Sequence, residues 1–307
     1  MYGLSHLRSA VNNPNLALRE INRIYHTRFF TTRGNPNGDH FMQEDWDNLV
    51  ILDACRYDLF EEVCDFDGRL EKRTSKGSGT VEFLESQFND KSYKDTVYIT
   101  GNPQLARFRE QINVSFYDEI HVWSEEGWNE KYGTVLPETM AEYAIQASEK
   151  YPNKRLLIHF VQPHYPFLRE DTEFDKNQFD DPDAPPTFWY RIMQGDLEIS
   201  REEVWELYRE NLQVALPSVR QLITELPGKT VITADHGNMI GERASPIPVE
   251  EWGHPLGLYT PELVEVPWFV CESENRKEIL TGEMNDEPKD EINDEVVSQR
   301  LEDLGYI

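Results

Sequence analysis

An acid and an imidazole stand side by side at Asp235-His236, directly after the run Lys229-Thr230-Val231-Ile232-Thr233-Ala234. Carboxylate oxygen and imidazole nitrogen together suit a divalent cation such as manganese or zinc. A second apolar run, Asn48-Leu49-Val50-Ile51-Leu52, ends in Asp53. Two strand ends that carry metal-type ligands point to one shared site. His159, His164 and His254 add imidazoles, and the loop 74–80 adds the hydroxyls of Ser78 and Thr80. A bound cation lowers the pKa of a hydroxyl in contact with it, which yields a nucleophile at neutral pH. Further histidines can neutralise the non-bridging oxygens of a tetrahedral anion or protonate a leaving group.

Such residues need a scaffold that gathers them. Apolar or β-branched runs predict strands at 48–53, 96–100, 155–161 and 229–234. The stretches 119–123 and 264–271 read as edge strands, the second because of Pro267. Helices are expected at 56–63, 81–88, 137–151 and 200–226, with a short one ending near Leu304. Ser200-Arg201-Glu202-Glu203 is a capping box, and Pro217 is expected to kink the helix it opens. The stretches 34–46 and 69–80 read as loops. Strands alternating with helices predict an α/β fold, a mostly parallel sheet sandwiched between helices. In such sheets ligands bind at the carboxyl ends of the strands.

The expected organisation is a helical and loop extension over 1–46, an α/β domain over 47–271, and an acidic tail over 272–307 that belongs to it. An acidic, Pro- and aromatic-rich insertion at 168–199 is lid-like, and its Phe188-Trp189-Tyr190 either lines a substrate or pins the insertion down.

A formal charge of −27 argues against nucleic acid as a partner. The excess of acid, with arginine above lysine, resembles proteins of salt-loving archaea, in which salt screens the repulsion. Residues 1–33 run the other way, with five arginines against one acid. They form either a helix packed on the domain or a peripheral contact with an anionic membrane surface. Three cysteines without metal spacing imply no disulfide framework. Without a signal region or an apolar span, the expected location is the cytoplasm.

The order of these motifs resembles the alkaline-phosphatase superfamily, in its sulfatase-like and phosphoethanolamine- or phosphoglycerol-transferase branches. Leu52-Asp53-Ala54-Cys55-Arg56-Tyr57-Asp58 resembles the first metal-aspartate motif, and Thr74-Ser75-Lys76-Gly77-Ser78-Gly79-Thr80 the nucleophile loop of the transferases. His159 to Phe167 is similar to a His-x4-His-x-Pro segment. Thr233-Ala234-Asp235-His236-Gly237, with Gly241-Glu242 and Gly253-His254, resembles the metal Asp-His motif and its downstream histidine. Arg300-Leu301 and Leu304-Gly305-Tyr306 resemble sulfatase-like C-termini. The likeness spans residues 48–307.

The resemblance implies an alkaline-phosphatase-like fold and a metal-dependent hydrolase or transferase for phosphate or sulfate esters. Asp53, Thr80, Asp235 and His236 would bind one divalent metal (manganese, zinc or calcium), with Thr80 also the nucleophile. His164 and His254 would act on substrate oxygens or a second metal, and His159 would assist in substrate binding. The substrate would be a small-molecule, glycan-linked or lipid-linked anionic ester. The Cys/Ser-x-Pro-x-Arg motif of formylglycine sulfatases does not occur.

Alternatives remain at several positions. Ser78 competes with Thr80, which can also serve as a helix cap. Cys55 is either an active-site thiol or a buried apolar group. Arg56 either clamps a phosphate or pairs with Asp58. Lys76 either steers an anionic ester or is a solvated loop charge. Asn102 either reaches the site or belongs to an ordinary Gly-Asn-Pro turn. The rival function is a binding protein for envelope or glycan assembly that retains the metal without turnover.

Overall fold

The computed structural model describes residues 14–29, 34–124, 126–168, 187–283 and 293–306. The remainder of the basic arm 1–33 and residues 169–186 of the lid-like insertion lie outside the described residues.

Eleven strands are described: β1 (Asn48–Leu52), β2 (Arg69–Thr74), β3 (Lys91–Thr100), β4 (Val114–His121), β5 (Trp128–Asn129), β6 (Thr134–Val135), β7 (Arg155–Phe160), β8 (Thr230–Thr233), β9 (Met239–Arg243), β10 (Glu250–Gly253) and β11 (Glu265–Cys271). Seven form the central sheet in the order β2-β11-β8-β1-β7-β3-β4. β8, β1, β7, β3 and β4 run parallel, whereas β11 is antiparallel to β8 and to β2. Every residue of β1 and β8 is buried, as expected for strands covered on both faces. The fold is therefore α/β, a mostly parallel sheet flanked by helices.

Two local expectations change. Arg69–Thr74 is a strand rather than part of a loop. Its charged residues hide the signal, because β2 is an edge strand, where charge deters pairing with another chain. Lys72 there meets Glu265 of β11 at 2.6 Å, and the Arg73 guanidinium lies over Trp268. β11 in turn lies one position in from the edge. Pro267 is tolerated because the β8 register begins only at Trp268. The helix Arg201–Glu225 runs through Pro217, and both halves of its predicted capping box are made.

The helix Pro14–Phe29 docks on the β9–β10 hairpin. Its buried Asn22 donates to the Ile247 carbonyl, and Arg19 donates to the Glu250 carbonyl. Phe41 and Trp46, in the stretch read as a loop, are buried in the main core.

Candidate metal centre

Register explains why distant residues meet. Ile51 of β1 pairs with Thr233 of β8 and with His159 of β7. Two residues on, Asp53 and Asp235 leave neighbouring strand ends at the same level. β7 continues into a turn in which the His164 amide donates to the Asp53 carbonyl, 3.1 Å. β3 ends at Thr100, and Asn102 follows. Four adjacent strands thus deliver four of the expected groups to one edge.

The turn after Asp53 is tight. Ala54 has a φ of 59°, a left-handed conformation that is uncommon without a glycine. Tyr208 holds it by donating to the Ala54 carbonyl. The Ala54 amide then donates to Asp235 Oδ1 at 3.0 Å, as does the His236 amide at 2.9 Å.

Asp53, Asp235 and His236 have no exposed surface, and each offers one ligand atom within 4.8 Å of the others. His236 Nδ1 lies 2.7 Å from the Gly237 carbonyl, so it carries the proton and Nε2 presents a lone pair. That Nε2 lies 3.5 Å from Asp53 Oδ1 and 3.5 Å from Asp235 Oδ2. Among the described residues, Asp235 Oδ2 has no hydrogen-bond partner. Burial and the neighbouring Asp235 charge push the Asp53 carboxyl well up, against hydrogen bonds from Tyr306, Asn102 and Thr80. Burial pushes Asp235 the same way, but His236, His159 and the amide donors outweigh it and hold its carboxyl below the usual range.

Two buried acids that face imidazoles, with an orphaned oxygen between them, form a donor set that a divalent cation fits. Asp53, Asp235 and His236 would hold it, and Thr80 lies alongside. Thr80 opens the helix Thr80–Phe88, and its Oγ1 is 3.2 Å from His236 Nε2 and 3.5 Å from Asp53 Oδ1. Ser78 faces elsewhere. Its hydroxyl contacts Glu82 and the Pro255 carbonyl and accepts from the Gly257 amide.

His164 and His254 form a pair beside this cluster, with Nε2 atoms 2.8 Å apart. His164 Nδ1 faces the Tyr165 carbonyl at 2.6 Å, so the proton between the rings belongs to His254. Burial depresses His164 to about 4 and His254 well below its ordinary value, so both are neutral near pH 7. The His254 ring lies 4.7 Å from that of His236. His159, although inside β7, also reaches the cluster. Its Nδ1 is 2.8 Å from the Tyr98 hydroxyl, and its unpartnered Nε2 is 3.7 Å from Asp235.

Arg56 and Cys55 turn away, and Lys76 is described by its backbone contacts. The Arg56 guanidinium is taken by Asp58 (2.6 Å), Glu242 (2.8 Å) and the Asn238 carbonyl (3.2 Å). It is a strut between segments, with no donor directed at the cluster. Lys76 packs against Gly38, and its carbonyl accepts from the Asn35 amide. The Cys55 thiol is fully buried, which raises its pKa, and its hydrogen bond runs to the Arg56 carbonyl. An inert buried thiol is the outcome.

Sequence reasoning did not assign Tyr306, Tyr98 or Ser75 to the site. Ser75 donates to the Asp235 carbonyl and accepts from the Gly77 amide, which locks the loop before Thr80. Ser75 and Tyr306 stand within motifs that carry the family resemblance, whereas Tyr98 is marked by no motif.

No protein-family model matches the sequence, and no curated protein matches it. Solved structures do. The integral membrane lipooligosaccharide phosphoethanolamine transferase A of Neisseria meningitidis aligns over 74% of this chain and 47% of its own length, at 13% identity and a TM-score of 0.49. The zinc complex of the C-terminal periplasmic domain of Escherichia coli EptC aligns over 78% of this chain and 76% of its own, at 14% identity and a TM-score of 0.47. A Vibrio parahaemolyticus protein of the alkaline-phosphatase superfamily aligns over 84% and 70%, at 11% identity and a TM-score of 0.41. The chain thus spans about half the length of the first of these.

The expected cytoplasmic location is corrected by the same finding, since two of these structures are an integral membrane protein and a periplasmic domain. No helix among the described residues is long and apolar enough to cross a membrane. That observation assigns no compartment. The chain is similar to structures of the alkaline-phosphatase superfamily, its phosphoethanolamine-transferase branch among them.

Proposed function

We propose that the chain is a metal-dependent phosphotransferase or hydrolase that acts on phosphate or sulfate esters through Thr80. One observation carries this reading. Asp53 and Asp235 are fully buried within one ion's reach, they face imidazoles, and a threonine hydroxyl lies beside them. A cation bound there, manganese, zinc or calcium, supplies positive charge and favours the deprotonated hydroxyl.

The chain's own residues do the rest. Thr80 sits at a helix N-terminus, where the backbone field favours negative charge on its oxygen. That oxygen attacks the phosphorus or sulfur in line, the bond to the leaving oxygen breaks, and a threonyl ester remains. The neutral His254, with its Nε2–H, donates to a non-bridging or departing oxygen, and His164 accepts from it until substrate arrives. Water or an acceptor hydroxyl then attacks the threonyl ester and releases Thr80. Asn102 positions Asp53 by donating to its Oδ2, and His159 adds an imidazole on the Asp235 side of the cluster. The substrate class that fits is an anionic ester, small or linked to a glycan or lipid.

The test is turnover of chromogenic phosphate mono- and diesters and sulfate esters with manganese, zinc or calcium added. Activity is expected to vanish with chelator and to fall about a thousandfold or more in Thr80→Ala. Intact-mass analysis of a quenched reaction is expected to place the adduct on Thr80. An adduct on Ser78 overturns the nucleophile assignment. A metal-loaded chain that turns over no ester supports a binding protein instead.

A further inference from the structure

The segment after β11 returns to the site from the opposite end of the sheet. Arg276 pairs with Asp45 and Asp47, and the Leu280 amide donates to the Asn153 carbonyl. The helix Asp294–Asp303 follows, capped by Asn293, and Val297, Leu301 and Leu304 are buried. Gly305, at φ +74°, passes against the Tyr165 ring and turns the chain inward. Tyr306 then enters the cluster. Its hydroxyl is 2.7 Å from Asp53 Oδ2, 2.8 Å from Asn102 Nδ2 and 3.3 Å from Thr80 Oγ1. Its ring stacks on His164, with centroids 4.7 Å apart and planes at 19°.

We propose that Tyr306 is a positioning residue of the candidate metal centre: its hydroxyl, together with Asn102, holds Asp53 Oδ2 and keeps Oδ1 turned toward His236 and Thr80. The inference rests on the metal-dependent reading above. A carboxylate has two equivalent oxygens and a broad, roughly two-fold terminal torsion. Two donors on one oxygen remove that equivalence. Oδ2 receives both Tyr306 (2.7 Å) and Asn102 (2.6 Å), while Oδ1 faces the other ligand atoms. Hydrogen bonds to an ionised carboxylate are the strong kind.

Asn102 alone is a poor clamp. Its Nδ2 is shared between Asp53 and the Tyr306 oxygen, and its Oδ1 accepts from the Gln104 amide. The phenol completes the arrangement by donating to Asp53 and accepting from Asn102. Outer partners of metal-binding carboxylates typically contribute about 10–100-fold in affinity.

The experiment titrates the full chain, stripped with chelator and dialysed, with manganese or zinc ions alone in a calorimeter. Tyr306→Phe keeps the ring on His164 and removes only the hydroxyl. Tyr151→Phe is the control, because it removes a phenol that donates to Asp118, away from the cluster. The expected result is binding weakened about tenfold or more in Tyr306→Phe, affinity unchanged in Tyr151→Phe, and a metal-free Tyr306→Phe chain that keeps the wild-type circular-dichroism spectrum and still unfolds cooperatively. Affinity of Tyr306→Phe within about twofold of wild type overturns the proposal, as does equal weakening in both variants. A wild-type chain that binds neither ion overturns the metal-dependent reading itself, and this inference with it.

Discussion

Asp53 and Asp235 set the energetics of the site at the residue scale. Two carboxylates without exposed surface repel one another, and each gives up hydration on folding. Without metal that cost falls on the fold. Asp53→Asn removes the charge that this carboxyl carries at pH values above its raised pKa, where the comparison is made, and its amide oxygen can still accept from Tyr306 and Asn102. In chelator the variant is expected to melt about 2–4 °C above wild type, the shift that about 1 kcal/mol gives a domain of this size. It should also lose the rise in melting temperature that metal gives wild type. Differential scanning calorimetry with and without manganese checks both, and a lower melting temperature in chelator refutes the repulsion account. Surroundings, not residue type, separate Thr80 from Ser78: one hydroxyl faces His236, while the other is held by Glu82.

Elements place these residues, and the segment 272–283 ties the end of β11 back to the start of β1. Arg276 there is bonded to Asp45 at 2.7 Å and Asp47 at 2.5 Å. Its hydrogen bond holds the Asp45 carboxyl down at about 2. A carboxyl lowered in the folded state stabilises the fold above its ordinary value near 3.8, and loses that contribution as pH falls toward 2. Asp45 is largely exposed, so solvent screening limits its share. Arg276→Ala should therefore cost roughly 1 kcal/mol at pH 7, with most of it from the buried Asp47 partner. The Asp45 share of the gap between variant and wild type should shrink below pH 4. Urea denaturation at pH 7 and at low pH measures this, and a gap that widens on acidification contradicts it. The other element to probe is the β8 turn. A Cβ at Gly237 would lie 2.1 Å from the Glu262 carbonyl oxygen, a backbone atom that cannot move aside cheaply. Gly237→Ala is expected to displace His236 and lower metal affinity at least about tenfold by calorimetric titration; unchanged affinity shows that the turn has slack.

For the whole molecule, a net charge of −27 and a site with two buried acids make the same demand for cations. Specific binding should raise stability by about 2.7 kcal/mol at a hundred times the dissociation constant. Monovalent salt acts separately, by screening the overall repulsion, so sodium chloride should raise the melting temperature of Asp53→Asn as well as wild type. A melting series in salt with chelator present distinguishes the two effects, and a fall in melting temperature with salt counts against the second. What could be read along the chain follows the same division. β1, β7 and β8 are continuous apolar runs, because strands buried on both faces cannot alternate, and their ends therefore showed Asp53, His159 and Asp235 as chemistry at the rim of a parallel sheet. The charged edge strand β2 carried no such pattern. Arg56 and Lys76 could not be separated from site residues, since a side chain's partner is set by what folds against it, and for Arg56 that was Glu242. Local pattern alone thus determined the buried strands of the central sheet, the Ser200 capping box and the kinds of ligand available. Only the tertiary structure decided that a tyrosine 253 positions away closes over Asp53, because hydrogen bonds depend on distance in space and leave no periodic trace in sequence.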